Sequence, residues 1–367
     1  MKVLHIINNL GSGGAEKLIE ESLPLLNQIE GVKADVLLLT DANNVFDTQL
    51  NEFAVNLNIL PLKKIYSPFN IFYIRKFIIK GKYDIVHAHL FPTNYWTSLA
   101  SKLIYKNKPE FITTEHSTHN RRREKFYFRF LDRIIYSNYS KIISISQKTQ
   151  ENLIFWINSK QKNLDKFIVI ENGINLNKFY DSKPYLKKQI NEKLTEESKL
   201  LCMVGRFSKQ KDQATLIKAM KGLSEDVHLL LIGEGPLKAQ NKILVNEIGL
   251  GHRIHFLGFR NDVDRIYKTS DIVILSSKWE GFGLAAAEGM ATGKPVIASD
   301  VTGLREVVKG AGILFSQGDS LELANKINNL IVNEEEYRMV SDKCLKRASK
   351  FNIKKMVGSY VNLYLNE

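Results

Sequence analysis

Short apolar runs alternate with amphipathic stretches along almost the whole chain, and this alternation constrains the fold more than any other feature. In the first half, the apolar runs are Val3–Ile7, Ala34–Leu39, Leu57–Leu60, Ile85–Ala88, Phe111–Thr114, Lys141–Ile145 and Phe167–Ile170. Helical stretches lie between most of them, beginning with one at about residues 15–28. Strands and helices that alternate in this way form a parallel sheet covered by helices on both faces. We therefore predict an α/β fold of the doubly wound, Rossmann-like kind.

The alternation breaks near Asn172 and then starts again. A polar, charged stretch at residues 181–198 precedes a second series of apolar runs, which are Leu200–Val204, His228–Ile232, Ile254–Leu257, Ile272–Leu275, Pro295–Ala298 and Gly312–Phe315. The length of 367 residues suits two domains of ~100–200 residues each. We predict an N-terminal domain over 1–172 and a C-terminal domain over 173–351. Ligands of such sheets bind at the carboxyl ends of strands, so we expect the site in a cleft between the domains.

The cysteine count and the distribution of apolar residues indicate a cellular compartment. Two cysteines, Cys202 and Cys344, cannot form a disulfide framework. No stretch approaches the ~20 apolar residues of a membrane helix, and the amino terminus lacks a secretory pattern. We therefore expect a cytoplasmic protein, soluble or peripheral to a membrane. Its net charge of +13 predicts an anionic partner, which could be nucleic acid, a membrane surface or a small molecule.

Two segments at strand ends have residues suited to a phosphate ligand, but each also has an ordinary structural explanation. The turn Gly11–Glu16 has glycines that let a backbone approach a ligand closely, and a helix follows it. It lacks the G-x-G-x-x-G dinucleotide pattern, and a tight structural turn explains it equally well. Arg206 and Lys211 follow the run Leu200–Val204 and suit a diphosphate. Two solvated surface cations are the alternative.

The segment Ser276–Glu288 is the most informative part of the sequence. The step Gly281–Gly283 follows a predicted strand and starts a helix, so its backbone N–H groups could hold phosphate oxygens. Glu288 lies about one turn into that helix on an apolar face, where an unpaired carboxylate would be costly to bury. Hydrogen bonds from vicinal hydroxyls, such as those of a ribose, would satisfy it. For Glu280 and Glu288 taken singly, a surface charge is the alternative.

Glu280 and Glu288, with seven residues between them, resemble the E-x7-E signature of retaining glycosyltransferases of family 4, which have the GT-B fold. Further matches occur in the family's order over essentially the whole chain. They are residues 172–174, 204–207, 231–236, 256–258, 270–271, 280–283 and 293–299. Residues 12–16 and 115–117 also resemble family members that build bacterial surface polysaccharides. The resemblance implies two Rossmann-like domains that face each other across a cleft, with a C-terminal helix over 352–367 packed back on the first domain.

The resemblance also implies a role for individual positions. It assigns the transfer step to His116, Glu280, Arg206 and Lys211, and donor binding to Gly13, Gly14, Gly235, Phe259, Gly281, Phe282, Gly283, Leu284 and Glu288. His116 would face the transferred sugar, and Arg206 and Lys211 would neutralise the leaving diphosphate. The donor would be a nucleotide diphosphate sugar, with a UDP-sugar favoured, and the acceptor a hydroxyl of a glycan or of a polyprenyl-diphosphate-linked saccharide. A nucleotide-sugar epimerase of the same fold and a non-catalytic basic binding protein are the alternatives.

The family relation implies retention of anomeric configuration by a front-face route, without a metal or other cofactor. A retaining hydrolase would instead need two carboxylates about 5 Å apart, and the sequence offers no obvious second one. Asp262 and Asp264 match a D-x-D metal motif in letters, but they open a short helix, where Asp is a favoured cap. His87 and His89 could be a metal-ligand pair, yet no carboxylate cluster accompanies them. We expect satisfied histidines rather than a metal site.

Clusters of cations in the first half suit an anionic membrane surface. Residues 63–82 contain six cations and no acid, and residues 121–130 are basic and aromatic. The alternative is that the apolar residues pack on the sheet while the cations are merely solvated. Nucleic acid fits less well, because no recognised binding motif appears. We therefore expect a peripheral protein on the cytoplasmic face of the cell membrane.

Overall fold

A computed structural model describes residues 1–46, 50, 53, 55–118, 120–157 and 164–365. The chain divides into two compact units. Unit 1 comprises Met1–Gly173 and Ile353–Glu367, and unit 2 comprises Ile174–Asn352.

Unit 1 is built on a seven-stranded parallel sheet with the order β3-β2-β1-β4-β5-β6-β7. Its strands are β1 (Lys2–Ile7), β2 (Lys33–Leu38), β3 (Leu57–Ile59), β4 (Ile85–His89), β5 (Glu110–Glu115), β6 (Lys141–Ser144) and β7 (Phe167–Val169). Its first helices are α1 (Gly14–Asn27), α2 (Asn70–Gly81), α3 (Thr93–Ser101), α4 (Phe126–Ser137) and α5 (Gln147–Ile157). The central strands β1, β4 and β5 are almost entirely buried, because helices cover both faces of the sheet.

Unit 2 repeats the plan with a six-stranded parallel sheet of the order β10-β9-β8-β11-β12-β13. Its strands are β8 (Lys199–Val204), β9 (Val227–Ile232), β10 (Ile254–Gly258), β11 (Ile272–Leu275), β12 (Val296–Ser299) and β13 (Ile313–Phe315). Its helices are α6 (Leu176–Tyr180), α7 (Lys187–Ile190), α8 (Gln213–Ala219), α9 (Lys238–Glu247), α10 (Val263–Thr269), α11 (Leu284–Ala291), α12 (Leu304–Val308), α13 (Ser320–Val332) and α14 (Glu334–Ala348). The predicted α/β class, with two doubly wound sheets, is confirmed.

The last helix, α15 (Ile353–Leu365), belongs to unit 1 although unit 2 precedes it in the chain. Its Tyr364 hydroxyl lies 2.7 Å from Nδ1 of His87 on β4. The amide of Gly173 donates to Sδ of Met356 at 3.2 Å. The helix therefore contacts the centre of the first sheet.

No helix in the part of the chain that the structure describes is long and apolar enough to cross a membrane.

Two predicted membrane-facing arginines are instead bound inside unit 1. Arg122 lies over the ring of Phe91 and 3.7 Å from the carboxylate of Asp132. Arg123 lies 3.4 Å from the carboxylate of Glu115. Both side chains are only 11% exposed, and their charges are paired with buried carboxylates. The expectation that these two cations face a membrane is wrong, because Asp132 and Glu115 supply partners that the linear sequence does not reveal.

Candidate active site

The loops that follow β8 and β11 lie side by side in unit 2, because these two strands are neighbours in the sheet. The amide of Lys278 donates to the carbonyl of Gln210 at 2.7 Å. The Ser276 hydroxyl donates to the carbonyl of Asp212 at 2.9 Å. The carboxyl ends of the strands thus bring together two segments that sequence reasoning identified separately.

Lys211 and Glu280 form an ion pair at this edge of the sheet, with 2.5 Å between Nζ and Oε1. The Ser277 hydroxyl donates to the same oxygen at 2.7 Å, and Nε2 of Gln210 donates to Oε2 at 3.2 Å. The Lys211 side chain is 19% exposed and that of Glu280 only 8%. Glu280 is therefore held in a defined orientation by three donors. Sequence reasoning missed Gln210 and Ser277, although each lies within three residues of a predicted site residue.

Arg206 differs from Lys211 in that its guanidinium is exposed and has no hydrogen bond or ion pair with any residue that the structure describes. Gly205, the residue before it, lies against the Lys211 side chain. A Cβ at Gly205 would come within 3.2 Å of both Cδ and Cε of Lys211. The glycine therefore leaves room for the lysine stem, while Arg206 keeps a free positive charge.

The turn that starts α11 has the geometry of an anion-binding helix terminus. Gly283 is the N-cap with a φ of +96°, a conformation that favours glycine. Ala286 and Ala287 donate to the carbonyl of Gly283, while the amides of Leu284 and Ala285 have no backbone acceptor within the described ranges. Phe282 is buried and packs edge-on against Phe351, with 5.3 Å between ring centroids. Its side chain therefore belongs to the core, and only the backbone around it is placed to bind a ligand.

Glu288 lies inside α11 and is 5% exposed. It is near the buried Tyr267, whose pKa is raised well above its ordinary value by burial and then by the Glu288 carboxylate. The next residue, Gly289, faces β11, and a Cβ there would come within 2.8 Å of Cγ1 of Val273. The close contact between helix and strand thus explains a glycine in mid-helix.

The loops after β9 and β10 complete this edge of unit 2. A Cβ at Gly235 would lie 2.4 Å from the carbonyl oxygen of Phe207, so the loop after β9 packs directly on the loop after β8. The amide of Phe207 donates to the carbonyl of Glu234 at 3.0 Å. Packing against Phe207 therefore explains a glycine at position 235 without any role in donor binding. Phe259, in the loop after β10, is partly exposed.

Asp262 of the D-x-D letters is held by two side chains. Arg260 lies 2.5 Å from Oδ2, and the Tyr185 hydroxyl donates to the same oxygen at 2.6 Å. The hydrogen bond from Arg260 is the largest of the effects that lower the pKa of this carboxyl to about 2. Asp262 is the N-cap of α10, but its side chain makes no capping hydrogen bond. Asp262 thus lies at the predicted cap position, but its carboxylate binds Arg260 and Tyr185 instead of the helix amides.

In unit 1, His116 follows β5 and belongs to a cluster of four histidines. His116 Nε2 lies 3.1 Å from Nδ1 of His89, and His89 Nε2 lies 3.0 Å from Nδ1 of His5. Both nitrogens of His87 have hydroxyl partners at 2.7 Å, which are Tyr364 and Thr114. His87 and His89 are thus satisfied by hydrogen bonds, as predicted. Sequence reasoning missed His5, a lone polar residue in an apolar strand.

Three of these rings have a spacing that could hold a metal ion. One nitrogen each of His5, His87 and His89 lies within 4.8 Å of the others. A metal there would have to displace the hydrogen bonds that already occupy both nitrogens of His87 and of His89. We therefore interpret the group as a hydrogen-bonded cluster.

The glycine turn before α1 is closed by a neighbouring acid. Gly13 is the N-cap of α1, and a Cβ there would lie 2.2 Å from Oε2 of Glu16. The Glu16 carboxylate thus folds over the helix start, next to Gly13 and the exposed Gly14. An anion approaching these two glycines would have to displace it.

Comparisons with known proteins agree with the geometry. The model of Glycosyltransferase Family 4 matches residues 12–178, and that of Glycosyl transferases group 1 matches residues 186–347. An uncharacterized glycosyltransferase of Methanocaldococcus jannaschii is 30% identical over 309 residues, which are 80% of this chain and 79% of that protein. The UDP-Gal:alpha-D-GlcNAc-diphosphoundecaprenol alpha-1,3-galactosyltransferase of Escherichia coli is 29% identical over 84% of this chain and 81% of its own.

The crystal structure of Anabaena HepE in complex with UDP and glucose has the same fold. It superposes with a TM-score of 0.85 over the full length of both chains, at 23% identity. The two matching family models together cover nearly the whole chain, in the order that the motifs predict. The resemblance found in the sequence is confirmed: the chain belongs to the family 4 glycosyltransferases, which have the GT-B fold.

Proposed function

We propose that this protein is a retaining glycosyltransferase that moves a hexosyl or N-acetylhexosaminyl group from a UDP-sugar to a hydroxyl of a lipid-linked or glycan acceptor in cell-surface polysaccharide synthesis. The observation that carries the proposal is the edge of unit 2 where the free guanidinium of Arg206, the Lys211–Glu280 pair and the start of α11 occur together. Cations and helix N-termini are the groups that stabilise a leaving diphosphate.

The choice of donor and acceptor is supported by two relatives. The Anabaena structure holds UDP and glucose, and the name of the Escherichia coli relative specifies UDP-Gal and a diphosphoundecaprenol-linked acceptor. A basic protein would attract both diphosphates. Which sugar is moved depends on the side chains around His116 and Glu280.

In the proposed reaction, the bond between the sugar's anomeric carbon and the diphosphate oxygen breaks as the acceptor oxygen bonds to the same face. The acceptor's proton passes to the leaving phosphate oxygen. Arg206 and the first amides of α11 stabilise the negative charge that develops on the diphosphate. Glu280, oriented by Ser277 and Gln210, accepts hydrogen bonds from sugar hydroxyls, and Glu288 does so from the ribose.

We also propose that the reaction needs no divalent metal. The support is that Asp262, the first acid of the D-x-D letters, is already bound by Arg260 and Tyr185. Excess EDTA should leave the transfer rate unchanged. A loss of activity that Mg²⁺ or Mn²⁺ restores would contradict this part of the proposal.

A peripheral position on the cytoplasmic face of the membrane is the last part of the proposal. The support comes from α2, which buries Asn70, Ile74 and Ile78 and turns its other side to solvent. That side exposes two aromatic residues, Phe72 and Tyr73, and two lysines, Lys76 and Lys80. Aromatic side chains beside lysines are typical of a helix that lies at an anionic lipid surface.

The test starts with a thermal-shift screen of UDP-, GDP- and ADP-sugars, because a selective donor raises the melting temperature by mass action. The stabilising donor is then incubated with a short-chain polyprenyl-diphosphate saccharide, and the anomeric configuration of the product is read by NMR. We expect a UDP-sugar to stabilise the protein and an α-linked product to form from an α-linked donor. Conversion of the donor sugar without an acceptor would indicate an epimerase, and stabilisation by no nucleotide sugar would indicate a non-catalytic protein.

A further inference from the structure

Three histidines of unit 1 form a hydrogen-bonded row that ends on His116, and the proposed function uses only the last of them. His5 lies on β1, His89 ends β4 and His116 follows β5, so the three rings come from neighbouring strands. The distances between successive ring nitrogens are 3.0 and 3.1 Å. The row therefore connects the buried centre of the sheet to the position expected to face the sugar.

Burial keeps these imidazoles neutral. It lowers the pKa of His5 to about 3 and that of His116 to about 4, and it holds the pKa of His89 well below its ordinary value. A neutral imidazole has one N–H, so it donates from one nitrogen and accepts at the other. Three neutral rings joined by two hydrogen bonds can carry their protons in only two ways. Every N–H in the row points toward His116, or every N–H points toward His5.

The buried end of the row decides between the two arrangements. His5 Nε2 is buried and has no hydrogen-bond partner among the residues that the structure describes. If the N–H groups pointed toward His5, this nitrogen would carry an unpaired proton, whereas in the other arrangement it is a bare acceptor. Unpaired N–H groups are rarer in native interiors than unpaired acceptors. The N–H groups therefore point toward His116.

We propose that His5 and His89 are positioning residues that hold His116 as the tautomer protonated on Nδ1, so that its free nitrogen donates a hydrogen bond. The inference rests on the proposed function only in naming the transferred sugar as the acceptor of that hydrogen bond. In this state His116 can bind an oxygen of the transferred sugar but cannot accept a proton at Nδ1. The sequence alone could not reveal this role, because residues 5, 89 and 116 meet only through the strand order.

His87 offers a matched control. It is as deeply buried as His5, and its ring centroid lies 4.2 Å from that of His89. Both of its nitrogens bond to hydroxyl groups, so it lies outside the row. His87→Leu should lower stability, because it removes a hydrogen bond from each of two buried hydroxyls. It should leave the tautomer of His116 unchanged.

The direct test is an NMR measurement of the imidazole nitrogens in the ligand-free protein, labelled with ¹⁵N-histidine. We expect His116 to be protonated on Nδ1 and bare on Nε2, and His5 to be bare on Nε2. In His89→Leu we expect a mixture of His116 tautomers. In His89→Asn the amide can still donate to Nε2 of His116, so we expect a return to the single tautomer. Protonation of His116 on Nε2 in the wild-type protein would overturn the proposal, whether or not the variants fold.

Activity supplies a second readout. We expect His89→Leu to lower kcat about tenfold, the effect of one lost hydrogen bond, with the affinity for UDP unchanged, and His89→Asn to restore most of it. An equal loss of kcat in both variants would argue against a tautomer effect. Because the NMR result needs no substrate, failure of the proposed function would leave it intact, and the two failures can be told apart.

Discussion

At the residue scale, the two cations predicted to hold the diphosphate are in different states. Arg206 is exposed, and its charge is available without the loss of any contact within the described ranges. Lys211 is bound to Glu280 at 2.5 Å, and both side chains are largely buried. A ligand that binds the Lys211 ammonium in place of Glu280 must therefore interact with it more favourably than the Glu280 carboxylate does. Lys211 thus contributes to the fold of the site as well as to its charge.

Lys211→Met should destabilise the protein, whereas Arg206→Gln should not. Removing Lys211 leaves the Glu280 carboxylate buried without its cation, a change that costs about 3 kcal/mol in comparable pairs. Removing the exposed Arg206 should change the free energy of unfolding by less than ~0.5 kcal/mol. Both variants should bind UDP more weakly, since each removes a positive charge near the diphosphate. Denaturant unfolding and calorimetric titration with UDP measure the two effects.

The exposed Lys209, two residues before Lys211, is the control for the loss of a positive charge in the same loop. Lys209→Met should change the free energy of unfolding by less than ~0.5 kcal/mol. It should change the affinity for UDP by no more than about twofold. If Lys211→Met were as stable as Arg206→Gln, the ion pair would not be a structural element of the site.

Part of this site could be predicted from the sequence. Arg206, Lys211 and Glu280 each follow an apolar run, and the carboxyl ends of parallel strands share one edge of a sheet. The direct contact between Lys211 and Glu280 could not be predicted, because the two residues are 69 positions apart and meet only since β8 neighbours β11. The same limit hid the partners of Arg122 and Arg123, which lie on other elements of unit 1.

At the element scale, the close contact between α11 and β11 predicts an unusual response to alanine. Alanine favours a helix over glycine by up to ~1 kcal/mol. At Gly289, however, a methyl group would come within 2.8 Å of Val273 in the fully buried β11. We expect Gly289→Ala to lower the free energy of unfolding by ~1–3 kcal/mol, the usual range for overpacking, in a denaturant melt.

Gly358 provides the opposite case within α15. A Cβ there would meet no atom within 4 Å, so alanine adds helix propensity without a clash. Gly358→Ala should therefore raise the free energy of unfolding by about 0.5–1 kcal/mol. Stabilisation by both substitutions would mean that α11 can move away from β11 at little cost.

The positions of the strands were predictable, while their order in the sheet was not. The run Leu200–Val204 differs from β8 by one residue, because a strand buried on both faces is apolar throughout and ends at polar turns. No pattern in the sequence places β1 between β2 and β4. That order brings His5 next to β4.

At the scale of the whole molecule, buried neutral histidines predict sensitivity to acid. The pKa of His5 is lowered to about 3 by burial, whereas an unfolded histidine titrates near ~6.5. Between pH ~6.5 and pH 3, His5 binds a proton in the unfolded chain but not in the folded chain. The free energy of unfolding therefore falls as the pH drops toward 3. His5 alone should remove roughly 2 kcal/mol between pH 7 and pH 5.

Unfolding in denaturant at a series of pH values tests this prediction. The slope of stability against pH should be smaller in His5→Leu than in the wild-type protein, because the variant lacks the group whose pKa differs between the two states. Equal slopes would show that His5 accepts its proton in the folded protein.

The net charge of +13 is divided between internal partners and the surface, and this division predicts which cations bind a membrane. On α2, Phe72, Lys76 and Lys80 are exposed and repeat at helical spacing on one side. Replacing them by Ser, Gln and Gln should weaken binding to vesicles with anionic lipid at least tenfold, since each lysine contributes about 1 kcal/mol near such a surface.

Arg123→Gln is the control, because Arg123 is bound to Glu115. It should lower stability and leave vesicle binding unchanged. Co-sedimentation at low and high salt separates the two outcomes, and equal binding by the triple variant and the wild-type protein would contradict a membrane role for α2.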